Sequence, residues 1–228
     1  MQTLRYYNGT ESDLVEYVDH MGDDDSVCDA ARVSMDKAAE LFTVQQNERL
    51  LRYLAKHNHW SPFSHATIKM RFKAPIFLAR QFAKHQIGFS WNEVSRRYVN
   101  SDPSYWFPKG LRMKAENVKQ GSLDQTHKHS TSFRLDMDQQ IWKSHRLYND
   151  MIEQGVCPEQ ARMILPQNMM TEWIWTGSLY AWHRMYTLRS DSHAQMEARM
   201  YAELVNQVCS KHFPLSWNAL NEFRSTVA

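Results

Sequence analysis

The pattern of hydrophobic and polar positions in the first quarter of the chain predicts three helices. Apolar side chains recur there every three to four residues, which places them on one face of a helix. The first helix is predicted from Leu14, Val15, Val18 and Met21, and the second covers residues 27–33. The third covers residues 44–57, where Leu50, Leu51 and Leu54 form one apolar stripe. A turn is expected at residues 59–63, around Pro62.

The period of the pattern then changes to two. Side chains alternate between apolar and basic, as in a strand with one buried face: Ile68, Met70 and Phe72 alternate with Lys69, Arg71 and Lys73. Proline suits the first position of a helix, so Pro75 is expected to open a helix that covers residues 76–86. Residues 100–131 are polar, and we expect a long surface loop with short local structure.

The rest of the chain predicts further helices. A long one is marked by Phe133, Met137, Ile141, Trp142 and Met151. Gly155 is placed to end it. Residues 168–188 are rich in aromatic side chains and predict a largely buried helix, and residues 193–212 predict an amphipathic helix closed by Pro214. With no internal repeat and no clear linker, the simplest fold class is α+β: a mostly helical single domain over residues 1–228 with an antiparallel sheet.

Composition argues against several classes of protein. The formal net charge of +2 over 228 residues lacks the strongly basic balance of a general nucleic-acid binder. The longest apolar runs fall far short of the roughly 20 residues of a membrane-spanning helix. The three cysteines, Cys28, Cys157 and Cys209, are far apart and form no CxxC, which is typical of reduced thiols. We therefore expect a cytoplasmic protein that requires neither a membrane nor a nucleic acid.

The densest polar cluster lies at residues 80–97, where cationic, amide and hydroxyl side chains are interleaved with aromatic ones. Arginine grips phosphate with two parallel hydrogen bonds, and aromatic walls accept a planar ring. One interpretation is a pocket for an anionic, planar ligand; the other is a solvated helix followed by a polar loop. The residues alone leave both open.

Two further segments have similar alternatives. Arg189 stands beside Asp191 and Ser192, which either serve a binding site with it or cap a helix. Arg162 precedes an apolar run and either reaches a buried anion or extends to solvent. His57, His59 and His65 lack an HExxH or CxxC context, so no metal is expected. Fingerprints of dinucleotide-binding folds, P-loops and serine hydrolases are absent from the sequence.

The segment KHQIGFSWNEVSRRY at residues 84–98 resembles the signature of the flavin-dependent thymidylate synthases, which reads RHR, seven residues and a serine. Six more blocks resemble the family in the same order: AARVS (30–34), HNHWSPFSH (57–65), KAPIFLARQ (73–81), ARMILPQN (161–168), TEWIWTG (171–177) and LRSDSHAQMEAR (188–199). Several blocks in order are more specific than any single motif.

This resemblance implies an α+β homotetramer with shared active sites that methylates dUMP, using FAD, NADPH and 5,10-methylenetetrahydrofolate. The implied dUMP-binding positions are Gln81, Lys84, Glu93, Val94, Ser95, Arg96, Arg97, Arg162 and Arg189. The implied FAD-binding positions are Ser61, Lys84, His85, Gln86, Asn92, Glu93, Ser178, Tyr180 and Arg184, with Ser34 and His193 as further candidates. The implied catalytic positions are Arg189, which helps ionise the uracil ring, Ser95, and His59 near the flavin and folate.

The chain departs from the family pattern on the flavin side. The RHR triplet reads Lys84, His85 and Gln86, and eight residues instead of seven separate it from Ser95. Ser178 and Tyr180 stand where the family usually has Asn and Arg. Two alternatives follow: a flavin-dependent hydroxymethylase of a deoxypyrimidine monophosphate, and a non-catalytic nucleotide- or RNA-binding homologue.

Overall fold

The structure, a computed structural model, describes residues 4–7, 13–36, 38–99, 101–116 and 121–224. Its helices are α1 (Asp24–Arg32), α2 (Val44–Lys56), α3 (Ile76–Phe82), α4 (Ser130–Glu153), α5 (Pro158–Ala161), α6 (Leu179–Arg189), α7 (Met196–His212) and α8 (Pro214–Glu222). Its strands are β1 (Arg5–Tyr6), β2 (Val15–Met21), β3 (Thr67–Pro75), β4 (Phe89–Glu93), β5 (Ser104–Tyr105), β6 (Arg112–Lys114), β7 (Ser122–Thr126) and β8 (Met170–Ser178). This confirms the α+β class.

The main sheet has four strands in the order β2-β3-β8-β4, and β2 pairs antiparallel with β3. Strands β1 and β5 form a parallel pair, and β6 and β7 an antiparallel one. The chain separates into two compact units, the first made of residues 1–10, 73–83 and 93–173 and the second of residues 11–72, 84–92 and 174–228. The single domain over residues 1–228 stays a prediction.

The second unit has an aromatic core. The Phe72 and Trp182 rings stack with centroids 5.9 Å apart, and Trp175 meets each of them edge-on at 5.2 and 4.9 Å. The Trp182 indole also donates to the carbonyl oxygen of Ile68 at 3.1 Å, so its one polar atom is satisfied inside the core. This cluster holds α6 rigidly against the sheet residues of its own unit.

A buried polar chain lies within the first unit. The Tyr105 hydroxyl is 3.0 Å from His145 Nδ1, and His145 Nε2 is 3.2 Å from a carboxylate oxygen of Asp102. Tyr105 and His145 are almost fully buried. Burial, followed by the charge of Asp102, raises the pKa of the Tyr105 hydroxyl. These two contacts link the segment before β5 to the middle of α4.

Several sequence predictions are confirmed with shifts of a few residues. The helices expected at residues 27–33, 44–57 and 193–212 are α1, α2 and α7, and the long helix that ends before Gly155 is α4. The alternating segment is β3, and Pro75 precedes α3. The three cysteines are free, with Cys28 and Cys209 buried and Cys157 exposed. Among the described residues, no helix is both long and apolar enough to cross a membrane.

The helix expected around Leu14 to Met21 is wrong, because this segment is strand β2. Its register against β3 shifts between Tyr17 and Asp19, so Val18 is an extra residue in the pairing. Such a bulge breaks the alternation of period two. Val18 and Met21, whose spacing from Val15 imitates a helix, are exposed, so this spacing does not mark a buried face.

The buried helix expected over residues 168–188 is wrong in its first half, which is strand β8. Trp173, Trp175 and Gly177 are buried while the residues between them are half-buried, as a strand requires. The dense aromatic composition hid this alternation. Only Leu179 to Arg189 is helical, as α6.

Three smaller corrections concern helix ends and the polar segment. Helix α3 stops at Phe82 instead of Gln86, because the next positions on its buried face are the polar His85 and Gln86. The expected loop at residues 100–131 contains β5, with Tyr105 fully buried, and the β6–β7 hairpin; Asn100 and residues 117–120 lie outside the described residues. Pro214 opens α8 instead of only closing α7.

Helix α8 is capped by a side chain distant in sequence. The two carboxylate oxygens of Asp24 accept hydrogen bonds from the backbone N–H groups of Leu215 and Ser216 at 3.0 and 2.8 Å. We expect Asp24→Ala to lower the free energy of unfolding by about 1–2 kcal/mol, the usual cost of a lost helix cap. Urea denaturation measures the loss, and the exposed Asp136→Ala in α4 is the control. Equal unfolding midpoints for the two variants would remove this role from Asp24.

Candidate active site

The second unit contains a cleft of about 790 Å³, which is within the range of about 300–1,000 Å³ typical of ligand sites. Its walls come from the segment before β3, the start of β4 and the junction of β8 with α6. The lining residues are Asn58, Trp60, Ser64, Thr67, Ile87, Gly88, Phe89, Ser90, Thr176, Gly177, Ser178, Tyr180, Ala181 and Arg184. Three of the expected flavin positions, Ser178, Tyr180 and Arg184, are therefore on one surface.

The floor of the cleft is built by the β8–α6 junction. Ser178 caps α6, since its hydroxyl accepts the backbone N–H of Ala181 at 3.2 Å. Its own N–H donates to the carbonyl oxygen of Gly88 at 3.1 Å. Gly88 has φ +79°, and a Cβ there would lie 2.9 Å from the Cβ of Ala181. Only glycine allows this approach between the loop before β4 and the start of α6.

The cleft has aromatic walls. The Trp60 ring is about half exposed and lies 6.0 Å from the Tyr180 ring at an angle of 34°. The Tyr180 hydroxyl donates to the side-chain oxygen of Asn58 at 3.0 Å, which orients the ring. An aromatic surface beside cationic Arg184 suits a planar, anionic ligand.

A third aromatic ring lies directly on the backbone of β8. A Cβ placed on Gly177 would be 2.3 Å from Cε1 of Phe89, so the ring occupies the space of a side chain. Phe89 also contacts Trp175 and Trp182, with centroids 4.5 and 4.8 Å apart. The cleft wall is therefore continuous with the aromatic core of this unit.

Arg189 and His85 form a hydrogen-bonded pair in the second unit. The Nε–H of Arg189 donates to Nε2 of His85 at 2.9 Å, and both side chains are half-buried. Arginine can only donate, so Nε2 carries no proton and the neutral ring holds its proton on Nδ1. Burial first, and then the positive charges of Arg189 and Arg184, lower the pKa of His85 to about 4. Burial also lowers the pKa of Arg189.

The other expected flavin positions lie at the surface of the second unit, except Glu93 in the first. Lys84 and Gln86 flank His85 and are exposed, whereas His85 points inward. Asn92 is exposed near the end of β4, and Ser34 is exposed after α1. The remaining exposed positions are Ser61, which precedes a short 3-10 helix, and His193, whose ring nitrogen lies 3.1 Å from Asp191. Hydrogen bonds from His193 lower the pKa of Asp191.

His59, expected near the flavin and folate, is exposed after α2. Its backbone N–H donates to the carbonyl oxygen of Leu54 at 2.8 Å. Its ring meets the Tyr53 ring edge-on at 5.9 Å. These contacts fix the backbone at His59 and leave the imidazole at the surface beside Trp60, which lines the cleft.

Most of the expected dUMP positions lie in the first unit, around the end of β4. Glu93 accepts a hydrogen bond from the Thr171 hydroxyl at 2.8 Å, and the N–H of Val94 donates to the carbonyl oxygen of Glu172 at 2.9 Å. The chain then turns at Ser95, whose carbonyl oxygen accepts the N–H of Tyr98. Gln81 is half-buried in α3. Pairing with β8 thus ends where the expected binding turn begins.

Two arginines follow Ser95 in this turn. Arg96 donates to the carbonyl oxygen of Ser101. The Arg97 guanidinium lies 5.0 Å from the centre of the Tyr98 ring and 3.6 Å from a carboxylate oxygen of Glu159. Glu159 is on α5, and Arg162 follows at the end of that helix, exposed. The first unit therefore brings Arg97 near the segment that carries Arg162.

Sequence reasoning missed the roles of Asn58, Trp60 and Gly177 in the cleft. The signal that could have found Trp60 is its place between the polar residues His59 and Ser61, since an aromatic ring with a polar atom is often used where one side meets a partner and the other meets water. Gly177 follows two buried tryptophans in a strand, where a glycine marks a close approach of another group. Among the described residues, no group of three or more His, Cys, Asp or Glu is placed to hold a metal ion.

Comparisons with known proteins identify the family. A family model described as thymidylate synthase complementing protein matches residues 16–215. A protein of Kosmotoga olearia named flavin-dependent thymidylate synthase is 36% identical over 218 residues, covering 95% of this chain and 93% of that protein. The chain belongs to the flavin-dependent thymidylate synthase family. The resemblance seen in the sequence is thus confirmed, and members of this family are enzymes.

Solved structures extend the likeness of this flavin-dependent thymidylate synthase family member to its fold. The UMP/dUMP methylase PolB from Streptomyces cacaoi, in its structure bound with 5-Br dUMP, is similar with a TM-score of 0.83 and 27% identity, covering 97% of each chain. Its structure bound with 5-Br UMP gives a TM-score of 0.81 at 26% identity, covering 92% of this chain and 94% of that one.

Proposed function

We propose that the protein is a thymidylate synthase that reductively methylates dUMP to dTMP. The carbon comes from 5,10-methylenetetrahydrofolate, and the reducing equivalents come from NADPH through FAD. The observation that carries this proposal is the convergence of Ser178, Tyr180 and Arg184 on one aromatic cleft, in a chain that belongs to the family. The likeness to a UMP/dUMP methylase supports a uridine nucleotide as substrate.

The residues of the cleft fit a flavin. Gly88 and Gly177 allow the start of α6 and the Phe89 ring to pack closely against the floor of the cleft, and Trp60 and Tyr180 offer rings beside a planar ligand. Arg184 supplies positive charge for a phosphate, as do Lys84 and the start of α6 at Ser178. When bound, FAD supplies the redox chemistry, and the protein orients the reacting rings and excludes water. Ser61, His85, Gln86, Asn92, Glu93, Ser34 and His193 complete the proposed flavin set.

The proposed dUMP site uses cationic and hydroxyl side chains. We assign the dUMP phosphate and sugar to Gln81, Lys84, Glu93, Val94, Ser95, Arg96, Arg97 and Arg162. Arg189 stabilises the negative charge that develops on the uracil ring, which makes its C5 carbon a better nucleophile. His59, at the surface beside Trp60, contacts the folate. The enzyme works as a cytoplasmic homotetramer with shared active sites, as the family resemblance implies.

A second substrate, UMP, is favoured by one observation. PolB, similar to this chain over 92% of its length, is a UMP/dUMP methylase and was solved with both 5-Br UMP and 5-Br dUMP. Reactions with UMP in place of dUMP, analysed for a methylated ribonucleotide, test this candidate. Absence of product from UMP under conditions that convert dUMP would restrict the enzyme to the deoxynucleotide.

An omission series tests the main proposal. Purified protein is incubated anaerobically with dUMP, methylenetetrahydrofolate, NADPH and FAD, and then with each of the last three left out in turn. Chromatography of the nucleotide is expected to show dTMP only in the complete mixture. Nucleotide binding without any conversion would favour the non-catalytic homologue, and a hydroxymethylated product would favour the hydroxymethylase.

A further inference from the structure

We propose that His85 is a positioning residue for Arg189: its neutral ring accepts the Nε–H of Arg189 and thereby fixes the plane and direction of the guanidinium. The family resemblance assigns His85 to flavin binding, and positioning Arg189 is a further role beside that one. It rests on the proposed function, in which Arg189 acts on the uracil ring. It concerns how that arginine is held, not which nucleotide the enzyme converts.

The geometry of the pair supports positioning. The bond is 2.9 Å long, and it joins the loop before β4 to the last residue of α6. The planar guanidinium has its Nε–H on one edge, so a bond there sets the direction in which the two terminal amino groups point. The loop itself is held by the bond between Gly88 and Ser178, so the acceptor sits on a fixed backbone. Lys84 and Gln86 turn outward on either side.

The chemistry of the acceptor matters as much as its position. A carboxylate in place of His85 would hold Arg189 more tightly, but it would neutralise the charge that the uracil ring needs. A neutral imidazole orients the arginine without adding a negative charge beside it. The cations that face the ring, Arg184 and Arg189 on α6, also oppose its protonation, as does burial. The pair therefore keeps its donor–acceptor arrangement at neutral pH.

A set of variants separates this role from the alternatives. His85→Gln keeps an acceptor at a similar reach, His85→Leu removes it, and His85→Asp adds a negative charge. We expect His85→Leu to lower kcat roughly 10- to 100-fold, the effect of a misplaced catalytic group, with flavin still bound. His85→Gln is expected to recover most of that loss, and His85→Asp is not. His129→Leu, an exposed histidine before α4, is the control.

A double-mutant cycle gives the sharpest result. If His85 acts through Arg189, then His85→Leu is expected to have no further effect on kcat in an Arg189→Ala background. If the two substitutions lower kcat by independent factors in the double variant, or if excess FAD restores the activity of His85→Leu, the proposal is overturned and His85 acts only as a flavin ligand. Both measurements require that the wild-type enzyme produces dTMP.

A spectroscopic test does not depend on turnover. In protein labelled with [15N]arginine and [15N]histidine, the Nε–H of Arg189 is expected to exchange slowly with solvent, and His85 is expected to show an unprotonated Nε2. The His85→Leu variant should speed the exchange of that Nε–H. If wild-type protein makes no dTMP but these signals hold, the proposed function fails and the pairing stands. A protonated Nε2, or an exchange rate unchanged in His85→Leu, overturns the inference whatever the activity.

Discussion

Replacement of Arg189 with alanine is expected to lower kcat by about 100- to 1,000-fold, the usual cost of removing a donor that stabilises charge in a transition state. The guanidinium is half-buried, so its charge is screened by solvent less than that of a surface arginine. It is also fixed by His85. Its loss should leave the aromatic core intact, because Trp175 and Trp182 pack on other residues. Steady-state kinetics with dUMP, together with circular dichroism, measures both effects.

The matched control is Arg146→Ala. Arg146 is exposed on α4 and makes an ion pair with Asp150, its neighbour four residues on. We expect this variant to keep the wild-type rate, because an exposed pair of this kind contributes little to stability and lies in no part of the proposed site. Near-normal turnover in Arg189→Ala would remove Arg189 from the mechanism. Equal losses in both variants would point to a general defect of the protein.

The substitution Gly177→Ala is expected to damage the cleft and destabilise the fold together. The new methyl group would overlap the Phe89 ring, and Phe89 cannot move easily because it packs on Trp175 and Trp182. Overpacking of a filled core usually costs about 1–3 kcal/mol. The displaced ring would also enter the cleft, so we expect flavin affinity to fall. Urea denaturation and flavin titration measure the two effects.

Gly110→Ala is the control for that change. A Cβ at Gly110 would lie 3.4 Å from the Thr126 side chain, an ordinary contact, and the φ angle there is open to alanine. We expect its unfolding midpoint to match that of the wild type. A Gly177→Ala protein with wild-type stability and flavin affinity would show that Phe89 is not a fixed wall of the cleft.

Two histidines, the buried His183 and the half-buried His85, predict a loss of stability in acid. Burial, followed by the charge of Arg224, lowers the pKa of His183 from 6.5 to about 4, and His85 shifts in the same direction. Between pH 6.5 and about pH 4, the two histidines bind protons in the unfolded chain but not in the folded protein. The free energy of unfolding should therefore fall as the pH drops from 6.5 towards 4.

The variant His183→Phe removes one of these proton-binding groups and keeps a ring against Trp217, so it measures the contribution of His183 alone. Its free energy of unfolding should fall less steeply over this window, by up to about 1.4 kcal/mol per pH unit. Urea denaturation at a series of pH values gives both slopes. Parallel curves for the variant and the wild type would mean that His183 takes up its proton in the folded protein as readily as in the unfolded chain.

The predictable parts of the fold are those where a local pattern agrees with the final packing. In β3 the alternation of Ile68, Met70 and Phe72 with basic residues matches their burial, and α2 buries Leu51 and Leu54 as its stripe requires. Strand β2 could not be predicted in this way, because the bulge at Val18 arises from pairing with β3. Strand β8 failed for a related reason: its alternation lies within a run of large side chains.

In the candidate site, too, some residues could be predicted from the sequence and others could not. Family resemblance pointed to Ser178, Tyr180 and Arg184, because their order along the chain is kept and one turn of α6 brings the last two onto one face. The pairing of His85 with Arg189 could not be predicted, since it joins residues 104 positions apart through the packing of α6 against its neighbours. The Phe89 ring on Gly177 is a contact of the same kind.

The most direct test of the proposed reaction follows the transferred carbon. Purified protein, FAD, NADPH and dUMP are incubated anaerobically with methylenetetrahydrofolate labelled with 13C in its methylene group, and the nucleotide is analysed by mass spectrometry. We expect dTMP with the label in its methyl group, formed at a rate that depends on Arg189. A labelled hydroxymethyl nucleotide, or unchanged dUMP from protein with flavin bound, would contradict it.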